Sequence, residues 1–306
     1  MKIIFWGVRG SIPCPGPQTV RYGGNTSCIE LRFEELNRFI IIDAGSGIRP
    51  LGDRIMREVL PRGPIRTEIF ITHTHWDHIM GFPFFTPIYV PGTRLDIYGP
   101  VTYEDEGLER IIGDQLSYRY FPVRHSELSA EINYHPLKEC RMDLGDGITL
   151  TTKYLNHPIL CLGYRFEYGE KVFCTAYDTE PFRNVFPTDP ESPDYDPIAA
   201  EEGEKAALEE NEKILRFFHR ADILIHDSQY THREYLDSKI GWGHSSFEYA
   251  INSAHKAEVK KLILSHHDPL RTDDQLESLV NSYRERIEGK TNLAIEIARE
   301  GTELEL

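Results

Sequence analysis

In the run His73-Thr74-His75-Trp76-Asp77-His78 the chain places three imidazoles and one carboxylate side by side. These are donor types that hold Zn²⁺, Mn²⁺ or Fe²⁺ rather than thiophilic ions. The apolar, β-type stretch Ile69-Phe70-Ile71 leads into it. In an extended loop His73 and His75 are alternate residues and point the same way. Asp77 and His78 follow where the chain turns into a helix expected to run through Phe84, so they can face a second ion near the first. The chemistry on offer is metal-assisted hydrolysis, in which paired cations activate water and clamp the oxygens of a displacement.

Several elements must position these groups. Short apolar runs bounded by turn residues predict strands at Lys2–Trp6, Ser27–Phe33, Phe39–Ile42, Glu68–Ile71, Ile148–Leu155, Leu162–Tyr168 and Lys171–Ala176. Gly169-Glu170 between the last two reads as a hairpin turn. Leu51, Ile55, Val59 and Leu60 recur at helical spacing. The second half alternates: helix Glu201–Phe218, strand Ile223–His226, helix Ser245–His255 behind a Ser cap, strand Lys260–Ser265, helix Asp273–Arg286 and a closing strand at Asn292–Ala298. Strands first and strand–helix alternation later fit an α/β fold of two sheets covered by helices. The 306 residues are expected to form one domain, 1–306, with surface insertions near 103–135 and 181–212, either of which would suit a lid.

The net charge of −15 disfavours partners that are themselves extended anions, so a nucleic-acid polymer or a membrane surface is expected not to bind. A small anionic ligand stays admissible, because bound cations reverse the local sign. Cys14, Cys28, Cys140, Cys161 and Cys174 form no CxxC pair and are expected to be reduced thiols in a cytoplasmic protein. The apolar opening Met1–Trp6 is too short for a signal core or a membrane span.

HTHWDH resembles the signature of the metallo-β-lactamase superfamily, whose members share an αββα sandwich, and the resemblance extends across nearly the whole chain. It implies further residues. Asp43, in Phe39-Ile-Ile-Ile-Asp43-Ala-Gly45, would brace the histidine loop. His157 after one strand, Asp178 after another and His266 after a late strand, with His267 next door as the alternative, would complete the ligand set. On this pattern His73, His75 and His157 hold one ion, and Asp77, His78 and His266 the other. Asp178 and a water or hydroxide lie between them.

Ile225-His226-Asp227-Ser228 followed by Gly243-His244-Ser245-Ser246 resembles paired runs of the tRNase Z-like branch, with Asp227 where that branch usually has glutamate. The resemblance implies that Asp227 supports His244 and that His244 protonates a departing oxygen, while Asp77 orients the attacking hydroxide. Gly7-Val8-Arg9-Gly10-Ser11 and Asn25-Thr26 resemble the opening of the same branch and suggest Arg9, Ser11, Asn25 and Thr26 as phosphate-holding groups. Bacterial relatives with such openings are cyclic-nucleotide phosphodiesterase-like, and no long basic arm for gripping tRNA is visible. The expectation is a dinuclear phosphodiesterase acting on a cyclic nucleotide or another small phosphodiester, monomeric or as a homodimer. The alternatives are a tRNase Z-like RNA 3′-processing nuclease and a lactone or thioester hydrolase. A di-iron redox protein would call for more carboxylate ligands, and a non-catalytic sensor would be expected to lack one of the ligands.

Overall fold

The computed structural model describes residues 1–101 and 107–306. One sheet contains β1 (Lys2–Gly7), β2 (Cys28–Phe33), β3 (Arg38–Ile42), β4 (Arg66–Phe70), β5 (Arg94–Pro100) and β6 (Glu131–Leu137). The other contains β7 (Arg141–Asp143), β8 (Ile148–Leu155), β9 (Cys161–Tyr168), β10 (Lys171–Ala176), β11 (Ile223–Asp227), β12 (Lys261–Ser265) and β13 (Ala294–Ile297). A last strand, β14 (Glu303–Glu305), returns to pair with β1. The spatial orders are β14-β1-β2-β3-β4-β5-β6 and β13-β12-β11-β10-β9-β8-β7, seven strands in each sheet.

Strand parity explains how the layers stack. Ile40, Ile42, Phe70, Ile223, Ile225 and Ile263 point between the sheets and pack with Phe166 and Phe173. Their chain neighbours Ile41, Ile69, Leu224, Leu262 and Leu264 point outward into the two helix-covered cores. Successive side chains of a strand alternate faces, so strands covered on both sides must be apolar without interruption. Outside one sheet lie α1 (Ile48–Glu58), α2 (Trp76–Ile79) and α3 (Leu108–Asp114). Outside the other lie α4 (Pro197–Phe218), α5 (His232–Glu234), α6 (Phe247–Lys256) and α7 (Asp273–Ile287). The result is the αββα sandwich. No helix among the described residues is long and apolar enough to cross a membrane.

Among the departures from the sequence reading, three have clear physical causes or consequences. The helix after the histidine run stops at Ile79, and Phe82–Phe84 is a separate 3₁₀ turn. Gly81 packs so tightly on the Gly45 carbonyl that no side chain fits there, and Pro83 has no N–H to continue an α-helix. Within the expected insertion 103–135, residues 103–106 lie outside the described residues, while Glu131–His135 belong to β6, parallel to β5 in the sheet. Helix α4 begins four residues before Glu201, because Asp196 caps it by accepting from the N–H groups of Ile198 and Ala199 and Pro197 takes the first helical position.

The topology fixes where chemistry happens. β3 and β4 run parallel, as do β10, β11, β12 and β13, so the carboxyl ends within each set open on one side. The register pairs Ala176 with His226 and Asp227 with Ser265, which lines up the ends of β10, β11 and β12. Asp43, Asp178 and His266 each follow such an end closely and each has a positive φ, of 61°, 39° and 58°. Asp and His tolerate this left-handed conformation better than most residues, and it is a backbone cost that clusters at functional sites.

Candidate metal centre

Two groups of donor atoms converge at this edge. His73, His75, His157 and Asp178 form one, and Asp77, His78, Asp178 and His266 the other, each with all its donor atoms within 4.8 Å of one another. Asp178 is common to both. Its Oδ2 lies 3.3 Å from His73 Nε2, and its Oδ1 lies 3.3 Å from His78 Nε2 and 3.1 Å from His266 Nε2.

The donors fit a pair of dications. Asp178 Oδ1 is buried without a hydrogen-bond partner, a costly state for a carboxylate oxygen unless a cation faces it. His75 Nδ1 is 3.0 Å from both His73 Nε2 and His157 Nε2. Outer contacts fix which nitrogen points inward. His78 Nδ1–H donates to Asp43 at 2.7 Å, and His157 Nδ1–H donates to the Gly243 carbonyl at 2.9 Å, so each leaves Nε2 for the centre. Asp43 also accepts from the Thr72 N–H at 2.7 Å and from its hydroxyl, which ties the end of β3 to the start of the histidine loop. Asp77 Oδ2 accepts from the Ser11 N–H at 2.7 Å.

Electrostatics agree with this arrangement. Burial, opposed by Asp178 and the Gly243 carbonyl, pulls His157 down to about 4, while burial and the neighbouring His78, opposed by Asp178, hold His73 well below the usual histidine range, so both are neutral donors. Burial would raise Asp77, but His78 and His266 beside it outweigh that and keep it ionised. Asp178 is likewise held far below the usual carboxylate range, because burial is overcome by His266, His78 and His73.

Beside the second group, His244 Nδ1 lies 3.0 Å from Asp227 Oδ2, and its ring stacks on His266 with centroids 5.1 Å apart. Asp227 is fully buried and also accepts from the N–H groups of Ser245, Gln229 and Thr179. Burial disfavours a charged His244, yet Asp227 and Asp178 together push it up to about 9. Here the shorter aspartate spans the gap because β11 ends with Asp227 beside the chain that carries His244.

The phosphate-holding expectation needs correction. Arg9 is fully buried, and its guanidinium donates to the carbonyls of Gly23, Asp268 and Arg271 and pairs with Asp273 at 3.1 Å. It ties the amino-terminal loop to the start of α7 and has no free donor face for a substrate. Asn25 is engaged by Glu300 and Ser46, and the Thr26 hydroxyl is buried against the Ser46 N–H. Of the four, Ser11 alone is exposed beside the centre, with its backbone bonded to Asp77. Arg9→Ala should therefore destabilise the fold by about 3–5 kcal/mol, the usual result of stranding one partner of a buried pair. Urea unfolding of the metal-free protein measures this, and a change below about 1 kcal/mol would contradict the structural role. For the last ligand position, His266 enters the centre, while His267 turns away to donate Nε2–H to the Ala298 carbonyl at 2.9 Å.

Two positioning groups escaped the sequence reading. Glu180 is buried and accepts from the Tyr235 hydroxyl at 2.9 Å and from the N–H groups of Gly241 and Gly243 at 2.9 and 3.2 Å. It thereby sets the turn whose Gly243 carbonyl orients His157 and whose next residue is His244. Gly243 has φ +78°, and a Cβ there would overlap His157 Nδ1. Gly243→Ala should weaken metal binding by roughly 10–100-fold, as loss of an orienting contact typically does. Chelator competition reads this directly, and unchanged affinity would contradict it. The only sequence hint was the Gly243-His244 pair itself. Glu180 carried none, since its role depends on a turn about sixty residues away.

Residues 38–193 match the Beta-lactamase superfamily domain, a span that includes the histidine run, His157 and Asp178. The chain is 30% identical over 275 residues to a protein named Ribonuclease Z from Lactococcus lactis subsp. cremoris (strain MG1363), covering 79% of this chain and 83% of that one. Among solved structures, the metallo-beta-lactamase fold protein YhfI from Bacillus subtilis aligns with a TM-score of 0.63 at 16% identity, covering 99% of this chain and 98% of that one. Human tRNase Z, short form, aligns at 0.61 and 18% identity, covering 100% and 99%. Relatives named as ribonucleases overturn the expectation that a nucleic-acid polymer is an unlikely partner. That expectation rested on whole-molecule charge, which says little about a site where bound cations would set the local sign. By its matched domain, its sandwich and its paired donor groups, the chain belongs to the beta-lactamase superfamily as a metal-dependent hydrolase.

Proposed function

We propose that the chain hydrolyses a phosphodiester bond in RNA, in the manner of the relatives named Ribonuclease Z, using two divalent ions, zinc before manganese or iron. His73, His75 and His157 would hold one ion, Asp77, His78 and His266 the other, and Asp178 both. When bound, the ions supply activation of water and neutralisation of the phosphoryl oxygens. The remaining roles belong to the protein. Asp77, oriented by the Ser11 N–H, accepts a proton from the attacking water. His244 holds a proton because Asp227 engages its Nδ1, and its Nε2 is the nitrogen left to hand a proton to the departing oxygen. Asp43 and Gly243 keep His78 and His157 in the required tautomers.

The Asp227–His244 pair carries this reading. A thiolate leaves without a proton, whereas an acid beside the second donor group serves an alkoxide leaving group, as in a phosphodiester. A lactone also releases an alkoxide, and the relatives named Ribonuclease Z favour the phosphodiester over it. The reading from sequence of a small cyclic nucleotide gives way to RNA because the relatives are ribonucleases. The test is turnover by metal-loaded protein on a tRNA precursor, cyclic mononucleotides, an aryl phosphodiester and a thioester, each with a chelator control. Chelator-sensitive RNA cleavage is expected. Inert RNA with rapid cyclic-nucleotide hydrolysis would overturn the substrate, and thioester turnover alone would overturn the phosphodiesterase chemistry.

A further inference from the structure

Next to the metal centre lies a cavity of about 760 Å³ that the hydrolytic groups do not occupy. Trp76, Phe84, Tyr120 and Phe121 line it, with Arg49 and Gln115 among its polar members. Trp76 sits between His75 and Asp77 in sequence, so the cavity shares a wall with the centre. Successive residues of a helical turn diverge by about 100°, which lets Trp76 face the cavity while Asp77 faces the ions. Trp76, Phe84 and Tyr120 are 75%, 54% and 80% exposed. Three large aromatics left open together are unusual on a protein surface and mark a place where something binds. Phe121 meets Phe84 edge to face, with centroids 5.3 Å apart, which gives the wall a fixed shape.

We infer that this cavity receives the nucleobase flanking the scissile phosphate. The inference rests on the phosphodiesterase reading for its position beside the reacting bond. Its chemistry is independent of that reading. A base offers two flat π faces and a polar edge, and the lining offers aromatic faces with a few hydrogen-bonding side chains. The volume lies within the range of pockets that enclose a small organic ligand. An acyl chain would use the aromatic walls poorly and would leave Arg49 and Gln115 without a partner from the ligand. Tyr120 and Phe121, in the segment after α3, line the cavity together with Trp76 of the histidine run.

The test compares binding of adenosine 5′-phosphate and ribose 5-phosphate to the metal-loaded protein by calorimetry, in the parent and in Trp76→Ala and Tyr120→Ala. Stacking of one base gives the parent an expected preference of about tenfold or more for the nucleotide. Both substitutions should shrink that preference severalfold, and because both side chains are largely exposed, folding should survive. Equal affinity for the two ligands in the parent, or a preference unchanged in both variants, would overturn the inference. RNA turnover measured on the same samples separates the two ideas. Base-dependent binding without phosphodiester cleavage leaves the cavity assignment standing and sinks the proposed reaction. Cleavage without a base preference does the reverse.

Discussion

Asp178→Ala is expected to leave a folded protein that holds at most one metal ion and has lost at least about a thousandfold in turnover. The carboxylate reaches both donor groups, with Oδ2 toward His73 and Oδ1 toward His78 and His266. Its removal would take a donor from each group and withdraw the negative charge that two nearby cations would need. Lewis-acid stabilisation of a transition state amounts to several kcal/mol, and each 1.4 kcal/mol is a factor of ten in rate. Elemental analysis after dialysis gives the stoichiometry, and turnover on the best RNA substrate gives the rate. Two tightly bound ions in the variant would show that Asp178 does not bridge. The fold should tolerate the change better than the site, because Asp178 Oδ1 has no hydrogen-bond partner to strand, although alanine accepts the left-handed backbone there less readily than aspartate.

His244→Ala should lower kcat by about 10²–10⁴-fold while both ions stay bound, the range expected for loss of a general acid. The pH profile tests this more sharply than the rate. Free of metal, His244 is raised to about 9, burial being outweighed by Asp227 and Asp178. Cations in the neighbouring groups would draw it lower. A raised histidine carries its proton below its own pKa, so activity should be intact on the acid side. It should fall tenfold per pH unit once the pH passes that pKa, and this limb should vanish in His244→Ala. Asp227→Asn removes the supporting charge and should move the limb toward lower pH with little effect on KM. A limb that persists unshifted in both variants would mean that another group donates the proton.

Much of this was legible in the sequence because it is local. HTHWDH carries four donors on one loop, and short apolar runs announce the strands around it. The resemblance to the superfamily then implied Asp43, Asp178 and His266, each of which follows a strand end. Tertiary structure changed the meaning of groups whose partners are distant. Arg9 read as a phosphate ligand from its Gly-rich surroundings, but Asp273, 264 positions away, engages it. Glu180 was silent because the turn it holds belongs to another part of the chain.

The sequence alone determined the donor types, the order in which they appear and the αββα plan, since side-chain chemistry and strand periodicity are properties of short windows. Tertiary structure decided which donors meet. Only the parallel registers of β10, β11 and β12 bring Asp178, Asp227 and His266 level, and only packing at Gly10 turns the amino-terminal loop close against the His266 ring. It likewise decided that Trp76, Phe84, Tyr120 and Phe121 line one cavity. Such convergence depends on contacts between residues far apart in the chain, and no local pattern encodes the distance between them.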